Sequence, residues 1–195
     1  MKLVTLLTML LSLTAFADEK DMKMDPEMQK KFQEYSTPGE QHKKLAEMAG
    51  KWTYTSRYWM KEGAKPEESK GTANMKMIMD GRFLQQEVKG TAMGQPFTGM
   101  GMVGYDNLKK IYNSTWIDSM STGIMNGTGT YDESTKTMTE KGQFTCPMTE
   151  NHTADYRAET TMVDKNNMTF SMYSKGMDPK GKEFKMMEMA YKRAK

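Results

Sequence analysis

From Gly50 onward the chain alternates. Apolar or aromatic residues recur at every second position in short runs, and glycine, asparagine or aspartate closes each run. A period of two sends successive side chains to opposite faces of a strand. The runs therefore predict strands at 51–60, 69–79, 82–91, 96–105, 109–118, 122–131, 135–144, 153–163, 167–175 and 184–193. The punctuation has turn chemistry. Asp80-Gly81 is a hairpin signal, Asp106-Asn107 and Asp132-Glu133 suit turns, Asn166-Asn167 tolerates positive φ, and Asp178-Pro179-Lys180-Gly181 reads as a loop. Nearly every connection is too short to hold a crossover helix, so consecutive strands run antiparallel. A meander of about ten strands hides its edges by closing on itself. The expected fold is an all-β, antiparallel up-and-down barrel.

Upstream of Gly50 the period changes. His42, Leu45, Met48 and Ala49 recur at spacings near three and four, which predicts a short amphipathic helix over 40–49, ended by Gly50. Residues 18–39 carry many charges and two prolines without a sustained apolar face, and read as a flexible leader with a helical turn or two around Pro26 to Tyr35. Before them, Lys2 and the apolar run Leu3 to Leu13 precede Ala15-Phe16-Ala17, the pattern of a signal peptide cleaved after Ala17. The organisation expected is thus signal 1–17, leader 18–39 and one barrel domain over 40–195. The destination is the periplasm or the exterior, because the apolar run is too short to span a bilayer and no other segment reaches membrane length.

Composition narrows the function classes. A formal net charge of +3 is too small to argue for nucleic acid, and acidic and basic residues are interspersed. Cys146 is the only cysteine, so no intramolecular disulfide forms, and Thr145 and Pro147 give its thiol no electropositive setting. The more unusual feature is methionine, 24 residues in all, of which only Met1 and Met9 fall in the signal segment. Met75 and Met77 share one strand face, Met100 and Met102 share another, and Met168 alternates with Phe170 and Met172. Methionine can stand where leucine would, giving a soft, adaptable core, and the four residues Met75, Met77, Met100 and Met102 are candidates to line a ligand cavity. Met22, Met24 and Met28 on the leader are harder to read as core. Thioether sulfur selects Cu(I), so copper or oxidant handling through these methionines is the alternative function. No other cofactor is expected.

Catalytic signals are sparse. His42 and His152 lack metal-ligand spacing and an evident nucleophilic partner, and His42 reads as a group that satisfies its own helix end. Arg82, Tyr105, Asp106, Trp116 and Asp118 all lie at predicted strand ends, where an aromatic wall, a carboxylate and a guanidinium could orient a ligand. The competing reading makes Asp106 and Asp118 turn formers and Arg82 a paired end group. An enzyme requires Arg82, Tyr105, Asp106 and Asp118 to converge on one cavity. The reading preferred here is a non-enzymatic barrel that binds a small hydrophobic molecule.

Gly50-Lys51-Trp52 after a short helix resembles the Gly-x-Trp signature of the calycins, the lipocalin and fatty-acid-binding-protein barrels. In that superfamily a basic residue from the last strand packs over the tryptophan, and Arg193 or Lys192 stands at the matching place. The segments His42 to Trp52, Gly81-Arg82-Phe83-Leu84-Gln85, Gly94-Gln95-Pro96-Phe97, Gly104-Tyr105-Asp106 and Trp116-Ile117-Asp118-Ser119 resemble, in order, the secreted bacterial family called domain of unknown function 1579. That resemblance extends from about His42 to Arg193 and implies a calycin-like barrel, with no activity attached to it. The related nitrobindin barrels bind haem through a histidine near the C-terminal end. No histidine follows His152 in this sequence, which counts against haem.

Overall fold

The computed structural model describes residues 24–175 and 181–195. The expected signal segment, Met22 and positions 178–180 of the expected loop lie outside the described residues. Among the described residues two helices precede ten strands: α1 (Pro26–Ser36), α2 (Glu40–Glu47), β1 (Gly50–Tyr58), β2 (Glu67–Ile78), β3 (Phe83–Ala92), β4 (Gln95–Asp106), β5 (Ile111–Asp118), β6 (Met125–Asp132), β7 (Thr137–Thr145), β8 (Thr153–Asp164), β9 (Asn167–Ser174) and β10 (Phe184–Arg193). Each strand pairs antiparallel with the next in sequence, and β10 returns to β1, with Trp52 opposite Arg193 and Tyr54 opposite Tyr191. The barrel is closed, which removes every exposed strand edge.

Aspartates make the turns by a recurring device. The Asp106 carboxylate accepts from the backbone N–H groups of Leu108 and Lys109, Asp132 from Ser134 and Thr135, and Asp164 from Asn166 and Asn167. At the β2–β3 turn Asp80 and Gly81 take positive φ, as the hairpin signal requires. The β8–β9 turn forms where it is expected, without using positive φ. Asn166 and Asn167 do not adopt positive φ, because Asp164 holds both of their N–H groups from an ordinary turn geometry.

Leu45 and His42 bury the inner side of α2 against one end of the barrel. His42 Nδ1 accepts the Gly39 N–H at 3.0 Å, so this imidazole caps its own helix, and burial pushes its pKa down. The Tyr112 hydroxyl donates to Gln41 Oε1 at 2.7 Å, and Lys44 pairs with Glu133. Helix α1 is longer than the turn or two its sequence predicts. Asp25 caps its first turn by accepting from Met28 N, Pro26 starts it, and Lys31 pairs with Glu27 across one turn. It buries no residue.

Inside, the core divides into two clusters. The larger lies under α2 and includes Leu45, Trp52, Tyr54, Met75, Leu84, Val103, Tyr112, Met138, Met162, Met168 and Tyr191. The smaller, toward the other end, joins Tyr156, Ala158, Met172, Phe184 and Met186. Phe170 and Met187 pack against both and are themselves only partly buried.

Candidate functional site

The residues singled out from the sequence go to three places. Trp52 and Arg193 meet as the calycin pattern implies, with the guanidinium carbon 4.1 Å from the indole centroid. The same guanidinium donates to Ala49 O at 2.6 Å, Glu47 O at 2.9 Å and Lys165 O at 2.7 Å. Gly50 makes room for it: φ there is +136°, and an added Cβ would lie 2.4 Å from Arg193 Nη1. This cluster fastens α2 to the barrel end.

Tyr105, Asp106 and Arg82 lie at the α2 end as well. Tyr105 stands edge-on to His42 and Tyr112, Asp106 is consumed by its turn, and Arg82 donates to Met79 O. Trp116 and Asp118 lie at the opposite end of β5, roughly 20 Å away at the rise of an extended strand. There the indole N–H donates to Asp118 Oδ2 at 2.9 Å, and Asp118 Oδ1 accepts from Met120 N. Arg82, Tyr105, Asp106 and Asp118 therefore do not converge on one cavity, and the constellation an enzyme would need is not assembled by them.

The methionine candidates split by strand parity. Met75 is buried inside and Met77 points inward at the α2 end. Met100 and Met102 are on the outer surface, 43 % exposed each, contrary to the cavity role expected of them. Their neighbours explain it. Gly99, Gly101 and Val103 take the inward positions of β4, and the Trp116 ring occupies the space that side chains at the two glycines would fill, 2.3 Å from a Cβ at Gly99 and 2.8 Å from one at Gly101. Met24 and Met28, one turn apart, are exposed, and Asp25 beside them is engaged as the cap of α1. Among the described residues no group of three His, Cys, Asp or Glu side chains is placed to hold a metal ion. Cys146 is buried, and its N–H donates to His152 O in the β7–β8 loop.

The group that sequence reading missed lies in the wall between the two core clusters. Met138, Glu140, Gly142 and Phe144 share the inward face of β7. Glu140 Oε1 accepts from the Ser114 hydroxyl at 3.0 Å and the Tyr156 hydroxyl at 2.9 Å. Glycines surround it: a Cβ at Gly127 would lie 2.4 Å from the Tyr156 hydroxyl, and one at Gly129 would lie 2.9 Å from Glu140 Cβ. Burial pushes the Glu140 carboxyl above the ordinary carboxylate range, against the two hydroxyl donors, and the Tyr156 phenol is pushed up as well.

Several inward positions of the middle strands keep accessible surface. Gln86, opposite buried Met75, is only partly buried, as are Trp116, Glu140, Thr160, Phe170 and Met187. The Gln86 amide makes no hydrogen bond among the described residues, and neither does Glu140 Oε2. Yet no sealed side-chain nitrogen or oxygen lacks a partner, so these atoms open onto accessible space. A groove of about 650 Å³ over β5, β6 and β7 is lined by Asn113, Thr115, Asn126, Lys141 and Gln143 and also by Ser114, Gly127, Gly142 and Phe144 beside Glu140. A second depression of about 420 Å³ lies beside Trp59, Arg157 and Tyr173.

A closed ten-strand antiparallel meander, a helix over one end and a guanidinium stacked on the first-strand tryptophan define a calycin-like β-barrel. The chain belongs to the family described as Protein of unknown function (DUF1579), whose model matches residues 37–193. Among solved structures it is similar to Rv2717c from M. tuberculosis, with a TM-score of 0.58 at 10 % identity over 82 % of this chain and 100 % of that one. It is also similar to a redesigned beta barrel, b11L5F_LGL, with a TM-score of 0.41 at 13 % identity over 77 % of this chain and 95 % of the design. No curated protein matches the chain. Among the described residues no helix is long and apolar enough to cross a membrane.

Proposed function

We propose that this protein is an exported, non-enzymatic barrel that takes a small, largely apolar molecule into the space between its two core clusters, through the end away from α2. The observation that carries this reading is the set of large inward side chains that stay only partly buried, Trp116 near the end of β5 and Phe170 and Met187 in mid-strand, together with the inward Gln86 amide on β3, which has no partner among the described residues. A mostly apolar lining with a few fixed polar groups is the usual composition of a small-molecule site. Methionine suits it, because an unbranched thioether adapts to ligands of different shape. The lining is the inward set of Met187, Phe170, Trp116 and Met125, and it does not include Met100 and Met102.

Native mass spectrometry of protein purified without denaturant tests the reading. The expected result is a bound apolar adduct that organic extraction removes. Replacement of Met187 by Trp, which fills the space, should abolish the adduct and leave a folded barrel. Adduct-free protein that also shows no thermal shift with apolar dyes would overturn the proposal.

A further inference from the structure

Resting on the carrier reading above, we propose that Glu140 anchors the ligand's polar head and that the ligand class is an amphiphile with a cationic amine head. Glu140 is inward on β7, between the two core clusters, with Oε1 fixed by Ser114 at 3.0 Å and Tyr156 at 2.9 Å. Both partners are neutral donors, so neither supplies a countercharge. Oε2 has no protein partner among the described residues and opens onto accessible space. Gly127, Gly129 and Gly142 strip the adjoining wall of side chains, and the room above Gly127 is already taken by the Ser114, Glu140 and Tyr156 polar atoms.

Among the described residues no cation from any packed element pairs with this carboxyl. The inward neighbours on β6 are glycines, on β5 Ser114, and on β8 Tyr156 and Ala158. Other titratable groups turned toward the interior among the described residues are the phenols of Tyr54, Tyr58, Tyr105, Tyr112, Tyr131 and Tyr191 and the Cys146 thiol, with Asp118 at the mouth. The inward guanidinium, Arg193, is held at the α2 end by three carbonyls. A carboxyl taken out of water without a countercharge is costly to ionise, and burial raises its pKa accordingly. The barrel bears that cost before any ligand arrives. A cationic head beside Oε2 recovers it through a charge-assisted hydrogen bond, whereas a fatty-acid head would place two carboxyls together and force one to hold a proton.

The test compares decylamine, decanol and decanoate by calorimetric titration below their micelle concentrations, with wild type and Glu140→Gln. Decylamine should bind wild type at least about tenfold tighter than decanol, with decanoate weakest. In Glu140→Gln the ratio of amine to decanol affinity should fall toward one. In wild type the advantage should also fade on acidification as Glu140 takes up its proton, at a pH above the ordinary carboxylate range, which gives a readout that does not depend on the variant folding. An alcohol or fatty acid bound as tightly as the amine, or an amine preference that survives Glu140→Gln, overturns the head-group assignment and leaves the carrier reading standing. Binding of none of the three overturns both.

Discussion

Arg193 joins parts of the chain that are far apart in sequence: the exit of α2 through Glu47 and Ala49, the β8–β9 turn through Lys165, and the Trp52 ring. Its removal strands three carbonyls and a stacked indole together. Arg193→Ala should cost about 2–4 kcal/mol in urea unfolding, and Arg193→Lys should recover little of it, since an ammonium can neither fork to separate carbonyls nor stack. Gly50→Ala should approach the same loss, because its Cβ would displace Nη1. A Gly50→Ala midpoint equal to wild type would show that the guanidinium yields freely. Trp116 sets a second residue-scale expectation. Gly99→Ala pushes into the indole and should destabilise by about 1–3 kcal/mol, and in a double-mutant cycle Trp116→Leu should relieve much of that cost. Strict additivity of the two changes would mean that the ring is not what fills the space over Gly99.

At the scale of elements, the ten strands were legible because each is bounded by a turn with its own chemistry, and their observed ends fall within three residues of those expected. Parity was less legible. In Gly99-Met100-Gly101-Met102 the apolar residues invite an inward assignment, but a ring on β5 needs the glycines inward, and that requirement comes from a strand the local pattern does not contain. Helix α1 exceeds the turn or two its sequence predicts for the opposite reason. It is fixed by its cap and by ion pairs, and a helix that buries nothing leaves no apolar period to read. One contact ties its end to the barrel: Asn107 Nδ2 donates to Glu34 O at 3.0 Å, Tyr35 O at 3.2 Å and Thr37 O at 2.8 Å. Asn107→Ala should speed amide exchange across 28–36 while moving the urea midpoint of the barrel by less than about 1 kcal/mol equivalent. Unchanged exchange would place the hold on α1 elsewhere.

For the molecule as a whole, Glu140 was hard to find because Thr-Glu-Lys-Gly reads as a solvated stretch. The usable signal was its parity with Met138 and Phe144, which puts a carboxyl on the core face. That placement makes the stability of the barrel depend on pH in a direction opposite to its surface turns. Asp106, Asp132 and Asp164 have lowered pKa values from their turn hydrogen bonds, so the stability they contribute is present above their unfolded pKa and is lost as pH falls through the folded values. Burial raises the Glu140 pKa above the ordinary carboxylate value, so between the unfolded and folded pKa values the folded barrel retains a proton that the unfolded chain has released. Its contribution is fully present below the unfolded pKa and is lost as pH rises through the folded one. Both effects are present in wild type, and Glu140→Gln separates them, because the turn aspartates cancel in the difference. Urea unfolding of the two proteins across the acid-to-neutral range should show the variant gaining on wild type as pH rises and then holding a constant lead or deficit. A difference that stays flat through that range would mean that Glu140 titrates alike in the folded and unfolded chains, and that the space it faces is as wet as bulk solvent.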